Sequence, residues 1–151
     1  MRTFQTLSEL SALVGQEVAV SDWTTITQEQ INQFAETTGD HQWIHVDVAR
    51  ARTGPFGATI AHGFLTLSLL PKFFATAIEV VESGMGVNYG LNKVRFLAPV
   101  PVGSRLRARL KLLAWSSIDN HGSQQTWQMA VEKEGAEKPV CVAESIVRRY
   151  P

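Results

Sequence analysis

The sequence predicts an α+β fold in which an antiparallel β-sheet packs around one buried helix. Between Gly63 and Val81 the residues Phe64, Leu65, Leu67, Leu69, Leu70, Phe73, Phe74, Ala77 and Ile78 surround the helix instead of marking one face, with Lys72 the only formal charge before Ile78. An all-round apolar helix is a buried one. The second half of the chain alternates between apolar and polar residues at the period of half-buried strands. Helical patterns come first and strands follow, which favours a layered helix-on-sheet arrangement.

Each element has a local cause. Thr6-Leu7-Ser8-Glu9 has the form of a capping box and Gly15 is a natural stop, so a short helix lies between them. Glu17 to Thr25 carries Val18, Val20 and Trp23 and reads as a strand. Thr27-Gln28-Glu29-Gln30 is a second capping box, and Ile31, Phe34 and Ala35 form an apolar stripe at helical spacing that ends near Thr38. Pro71 interrupts the long apolar helix, either as a kink or as the start of a second helix. Val94 to Leu97 is a strand stopped by Pro99 and Pro101. Arg105, Arg107, Arg109 and Lys111 alternate with Leu106, Ala108, Leu110 and Leu112, giving a strand with one wet face. Asp119-Asn120-His121-Gly122 is a turn. Gln124 to Val131 and Val140 to Val147 are the last two strands.

Composition bounds the function. A chain of 151 residues fits a single domain spanning residues 1–151, and a 44% hydrophobic content is enough to bury a core. Lys+Arg is 14 and Asp+Glu is 14, and this balance argues against nucleic acid or an anionic membrane as the main partner. No apolar run approaches the roughly 20 residues of a membrane span. The N-terminal residues lack the apolar core of a signal peptide. Cys141 is the one cysteine; set among Val140, Val142 and Ala143, it reads as a small buried filler. These features together point to a cytoplasmic protein.

The most informative stretch is Gly39-Asp40-His41-Gln42-Trp43-Ile44-His45. It sets a carboxylate and an imidazole five positions apart. That spacing separates side chains by roughly 140° on a helix and sends them to opposite faces of a strand. Asp40 and His45 can meet on one small target only if the backbone between them turns, and Gly39 is suited to ending the preceding helix and starting that turn. An acid and a base brought together in this way suit proton transfer on a bound water. The same residues admit other readings: Asp40 as an ordinary Asx-turn residue, His45 as a hydrogen-bonded loop histidine, or Asp40, His41, His45 and Asp47 as a metal cluster.

Three segments together resemble the MaoC-like family, which includes the (R)-specific enoyl-CoA hydratases. They are Phe34…Thr38-Gly39-Asp40-x-x-x-Ile44-His45, then Ala61-His62-Gly63-Phe64, then Val94-Arg95-Phe96…Pro99-Val100-Pro101-Val102-Gly103. The likeness is strongest to the small nodulation-protein-N-like branch and runs over nearly the whole chain. It implies a hot-dog fold, a homodimer with an acyl-thioester tunnel near the interface, and reversible addition of water to a trans-2-enoyl-CoA with no metal and no redox cofactor. It implies Asp40 and His45 as the catalytic pair and Gly63 as the glycine whose N–H holds the thioester carbonyl. Where most of the family has Asn-Pro, this chain has Gln42-Trp43, so these two are candidates to shape the acyl site.

Further candidates are weaker. Ser68 lies within reach of a supporting role if the helix runs unbroken from Gly63, or is a small polar residue in helix packing. Asn88 and Asn92 can line a tunnel. Arg95 and the row Arg105, Arg107, Arg109 and Lys111 could meet coenzyme A phosphates, although a solvated sheet face explains the row as well. His62 reads as a structural histidine, and Trp115, Trp127 and Phe96 as core. The rivals to a hydratase are a hot-dog acyl-CoA thioesterase and a non-catalytic acyl-CoA-binding dimerisation module, because fold alone does not fix the chemistry.

Overall fold

A computed structural model describes residues 1–151. The first strand, β1 (Arg2–Phe4), leads into a 3-10 helix over Leu7–Leu13, where the Glu9 carboxylate accepts the N–H of Thr6 at 3.3 Å, as the capping box requires. The strand expected over Glu17–Thr25 is split into β2 (Glu17–Val20) and β3 (Thr24–Thr25). Ser21 breaks it: its hydroxyl, in place of a backbone carbonyl, accepts the Ala108 N–H at 2.8 Å.

Helix α1 (Gln28–Thr38) starts on the Thr27–Gln30 box, with both reciprocal hydrogen bonds made, at 3.0 and 3.2 Å. It ends on Gly39 at φ +77°, a left-handed conformation that glycine adopts without a Cβ penalty. Two one-turn helices follow, α2 (Trp43–Val46) and α3 (Val48–Ala51). The apolar stretch divides into α4 (Gly63–Ser68) and α5 (Leu70–Ala77), with Pro71 in the first turn of α5, so the break is realised rather than a mere kink. Helix ends at Ala77: Ile78–Val80 form β4, which pairs in parallel with β1. Nor is the helical stretch buried all round, since Phe64 is 69% exposed.

The main sheet is built from β5 (Met85–Phe96), β6 (Arg105–Ile118), β7 (Gly122–Lys133) and β8 (Cys141–Tyr150), in the order β2-β6-β7-β8-β5 with β3 also pairing β6. All its pairings are antiparallel. The expected inward row, Leu106, Ala108, Leu110 and Leu112, is fully buried. It meets Trp127, Met129 and Val131 from β7 and Leu65, Leu70, Phe73 and Phe74 from α4 and α5 in one core. Phe74 and Trp127 contact edge to face at 5.2 Å. The outward row is neutralised: Arg105 pairs with Glu134 at 2.7 Å, Arg107 with Glu132 at 2.8 Å, and Arg109 with Glu132 and Glu17 at 2.6 and 2.9 Å. These arginines therefore form a wet sheet face with its own counter-charges.

Three core expectations resolve differently. Trp127 is fully buried, Trp115 is half-buried with its indole N–H donating to the Leu7 carbonyl at 3.1 Å, and Phe96 is 46% exposed. Phe96 lies at the end of edge strand β5, where no further strand covers it. Cys141 is buried, and burial pushes its thiol up to about 11, which keeps it un-ionised and inert. No helix is long and apolar enough to cross a membrane.

Candidate active site

The backbone between Asp40 and His45 turns as the spacing demands. Gly39 ends α1 in the left-handed region, Asp40 to Gln42 cross to the start of α2, and His45 sits inside that one-turn helix rather than in an irregular loop. A carboxylate oxygen of Asp40, a ring nitrogen of His45 and a ring nitrogen of His62 lie within 4.8 Å of one another. Asp40 is exposed, and its Oδ1 also accepts the Gln42 N–H at 3.4 Å, so the Asx-turn contact coexists with the pairing.

His45 is only 6% exposed, and its Nδ1 lies 2.7 Å from the carbonyl of Ile60. A carbonyl only accepts, so Nδ1 carries the hydrogen and Nε2 keeps a free lone pair. The Ile60 segment is itself held: its N–H donates to Ile44 at 3.0 Å, Ala61 donates to Val100 at 2.8 Å, and Val102 donates to Thr59 at 2.9 Å. Gln28, from the first turn of α1, donates to the His45 carbonyl at 2.8 Å and accepts from the buried Thr59 hydroxyl. Nothing in the local sequence marks Gln28 for this role, because its two partners lie 17 and 31 residues away.

Burial holds the His45 imidazole below its usual value of 6.5, and His62 pushes the same way; the Ile60 hydrogen bond and the Asp40 charge oppose this only in part. The ring is thus a neutral base at neutral pH. For folding the sign follows directly. As pH falls below 6.5 the unfolded chain takes up this proton before the folded one, so the contribution of His45 to stability is lost on the acid side.

A cavity of about 380 Å³ opens beside His45, lined by His45, Phe56, Gly63, Thr66, Phe96 and Val100 among others; Asp40 does not line it. Gly63 is the first residue of α4, and its N–H makes no hydrogen bond within the chain. A Cβ at Gly63 would meet the Phe96 ring at 3.0 Å, so the side-chain space there is already occupied. The pocket therefore brings a neutral base and a free amide donor together among apolar side chains, with the Asp40 carboxylate within 4.8 Å of the imidazole.

The other expected residues stand elsewhere. Gln42 is exposed and precedes α2. Trp43 turns its ring onto Gly54, with the Arg50 guanidinium 4.2 Å from its centroid. The Ser68 hydroxyl donates to the Leu65 carbonyl at 2.7 Å, and Ser68 lines a separate groove with Asn88; Thr66 takes the inward position instead. Asn92 is an exposed donor to Glu144 at 3.5 Å, and the Arg95 guanidinium donates to the neighbouring Val94 carbonyl at 2.7 Å. A third cavity of about 370 Å³, lined by Leu70, Phe74, Asn88 and Arg149, lacks an acid–base pair like that of Asp40 and His45.

The metal cluster of Asp40, His41, His45 and Asp47 does not form. His41 is exposed beside Glu36, and Asp47 caps α3 by accepting the Arg50 N–H at 3.0 Å. Asp40, His45 and His62 have the composition of a metal set, but the two rings are stacked, with centroids 3.8 Å apart and planes 24° apart. Such planes do not meet within the reach of a metal–nitrogen bond of about 2.0–2.1 Å.

A family model for the MaoC like domain matches residues 9–137. The 3-hydroxyacyl-thioester dehydratase Z of Mycobacterium tuberculosis is 57% identical over 148 residues, covering 98% of each chain. Nodulation protein N of Rhizobium meliloti is 46% identical over 143 residues, covering 91% of this chain and 86% of that protein. The solved R-hydratase PhaJ1 from Pseudomonas aeruginosa superposes with a TM-score of 0.68 at 26% identity, covering 91% of this chain and 81% of that one. The sheet wrapped over α4 and α5 is accordingly a hot-dog fold, and by sequence and architecture the chain belongs to the MaoC-like dehydratase family.

Proposed function

We propose that this protein is an (R)-specific enoyl-CoA hydratase that adds water reversibly to a trans-2-enoyl thioester, giving the (R)-3-hydroxyacyl-CoA. One observation carries the reading: a carboxylate within 4.8 Å of a neutral imidazole, and that imidazole lining a cavity that also holds an amide without a partner. Family membership supports hydration and its reverse, dehydration.

In this mechanism one water binds between Asp40 and His45. The free Nε2 of His45 accepts a proton as the water oxygen attacks the β-carbon. Asp40 orients the water and helps relay its second proton to the α-carbon, and His45 returns the first to the new oxygen, so hydroxyl and hydrogen add across the double bond and both residues regain their starting state. Negative charge builds on the thioester oxygen, where the Gly63 N–H stabilises it. The chemistry draws on no metal and no redox cofactor. In dehydration the two residues exchange roles.

A thioesterase would hydrolyse the same ligand. Mixing the protein with crotonyl-CoA and following enoyl absorbance and free thiol separates the two. Loss of the enoyl band without thiol is expected; thiol release with the band intact overturns the hydratase reading. Saturable binding with no turnover on short, medium and long chains would favour the non-catalytic module. A second expectation follows from His45. Protonating Nε2 removes the acceptor lone pair, so kcat/KM should fall on the acid side with a midpoint below 6.5 and level off at neutral pH. Initial rates from about pH 5 to 8 check this.

The homodimer, and a cytoplasmic location, belong to the same proposal. Strand β5 ends the sheet, and Met85, Val87, Tyr89 and Leu91 along it are 43–55% exposed. A long apolar edge is one that a second copy would cover. Sedimentation should give twice the 16.7 kDa chain mass, and Tyr89→Asp with Leu91→Asp should give the monomer. A monomeric parent protein would remove the dimer from the proposal.

A further inference from the structure

We propose that His62 is a positioning residue for the Asp40–His45 pair, holding the Asp40 main chain with one ring edge and the plane of His45 with one ring face. This rests on the hydration reading above. His62 is only 2% exposed, and its Nε2 lies 2.9 Å from the Asp40 carbonyl oxygen. That oxygen can only accept, so Nε2 carries the hydrogen. Nδ1 is buried and has no partner. The ring's one polar contact is therefore the hydrogen bond to the Asp40 main chain.

One face of this ring stacks on His45 at 3.8 Å, and Phe34 of α1 packs against it at 4.9 Å, tilted by 50°. His62 also immediately precedes Gly63. One buried side chain thus links the start of the acid's loop, the plane of the base and the entry to the helix that carries the amide. It does not line the cavity.

The titratable groups that bear on the His45 ring are Asp40, from the loop after α1, and His62 itself. The ring's hydrogen-bond partner is the Ile60 carbonyl, which does not titrate; the Gln28 amide holds the His45 main-chain carbonyl instead. Two variants separate the two contacts. His62→Phe keeps a flat ring but removes the donor. His62→Gln keeps an N–H near the Nε2 position but removes the ring.

The experiment measures kcat, KM and the acid limb of the pH profile on crotonyl-CoA, with circular dichroism to confirm folding. For His62→Phe we expect kcat to fall by up to about 10²-fold, with KM within about 2-fold and the acid midpoint moved upward. His62→Gln should recover part of kcat. Parental kcat and midpoint in either folded variant overturn the proposal, as does a loss confined to thermal stability. Failure of the parent protein to hydrate any enoyl thioester is a different result and overturns the underlying reading. If His62→Phe does not fold, His62→Gln decides alone through its pH midpoint: an upward shift supports the positioning role and an unchanged one overturns it.

Discussion

Replacing His45 with asparagine is expected to lower kcat by about 10²- to 10⁴-fold while leaving the protein folded. The choice of residue follows from the hydrogen bond between Nδ1 and Ile60, at 2.7 Å. An asparagine amide reaches about as far as Nδ1, so it can still donate to that buried carbonyl, but it offers no base at the Nε2 position. His45→Gln is the poorer probe. Its amide reaches the Nε2 position and leaves the Ile60 carbonyl without a donor, at a cost of about 1–3 kcal/mol. Asp40→Asn should lower kcat by a similar factor with little change in stability, because the carboxylate is exposed and an amide oxygen can still accept the Gln42 N–H. Steady-state rates on an enoyl thioester, set beside urea denaturation curves, check all three. Parental rates in either His45→Asn or Asp40→Asn would move the active site elsewhere.

Gly63→Val should abolish measurable turnover in a protein that still folds. Losing an oxyanion donor costs roughly 3–4 kcal/mol in other enzymes, and a backbone donor can be blocked only sterically. A Cβ at this position meets the Phe96 ring at 3.0 Å. Phe96 is 46% exposed at an uncovered edge and can swing aside, so the fold should tolerate the change. The valine methyls then fill the space in which the thioester oxygen would approach the amide. Combining Gly63→Val with Phe96→Ala relieves the clash with the ring but not the intrusion on the cavity, so activity should stay lost. Near-normal turnover in a folded Gly63→Val protein would count heavily against the donor role.

What could be read from the sequence was local. The Thr27–Gln30 box, the stop at Gly39 and the break at Pro71 each depend on a few adjacent residues, and each is present. The alternation in β6 was equally plain because one face is fully buried and the other carries charge. Strand β5 was legible only at its end. Nearly all of it is exposed, so no alternation of burial marks it. β4 continues the apolar helical pattern in sequence, because its pairing with β1 joins segments more than 70 residues apart and no local pattern records that. The site divides in the same way. Asp40, His45 and Gly63 are candidates that motif order alone singles out. His62, Phe96 and Gln28 join the site only through contacts across the fold, as in the reach of His62 back to Asp40 over 22 residues.

The single residue Leu69 separates the six-residue α4 from α5. Leu69 keeps helical φ and ψ, and its N–H donates to Thr66 while its carbonyl accepts from Phe73, so the two helices are joined through one hydrogen-bonded residue and not through a loop. Substitutions along Leu70–Phe74 therefore bear on two places at once, the wall of the third cavity and the shared core that seats Leu65, two residues beyond Gly63.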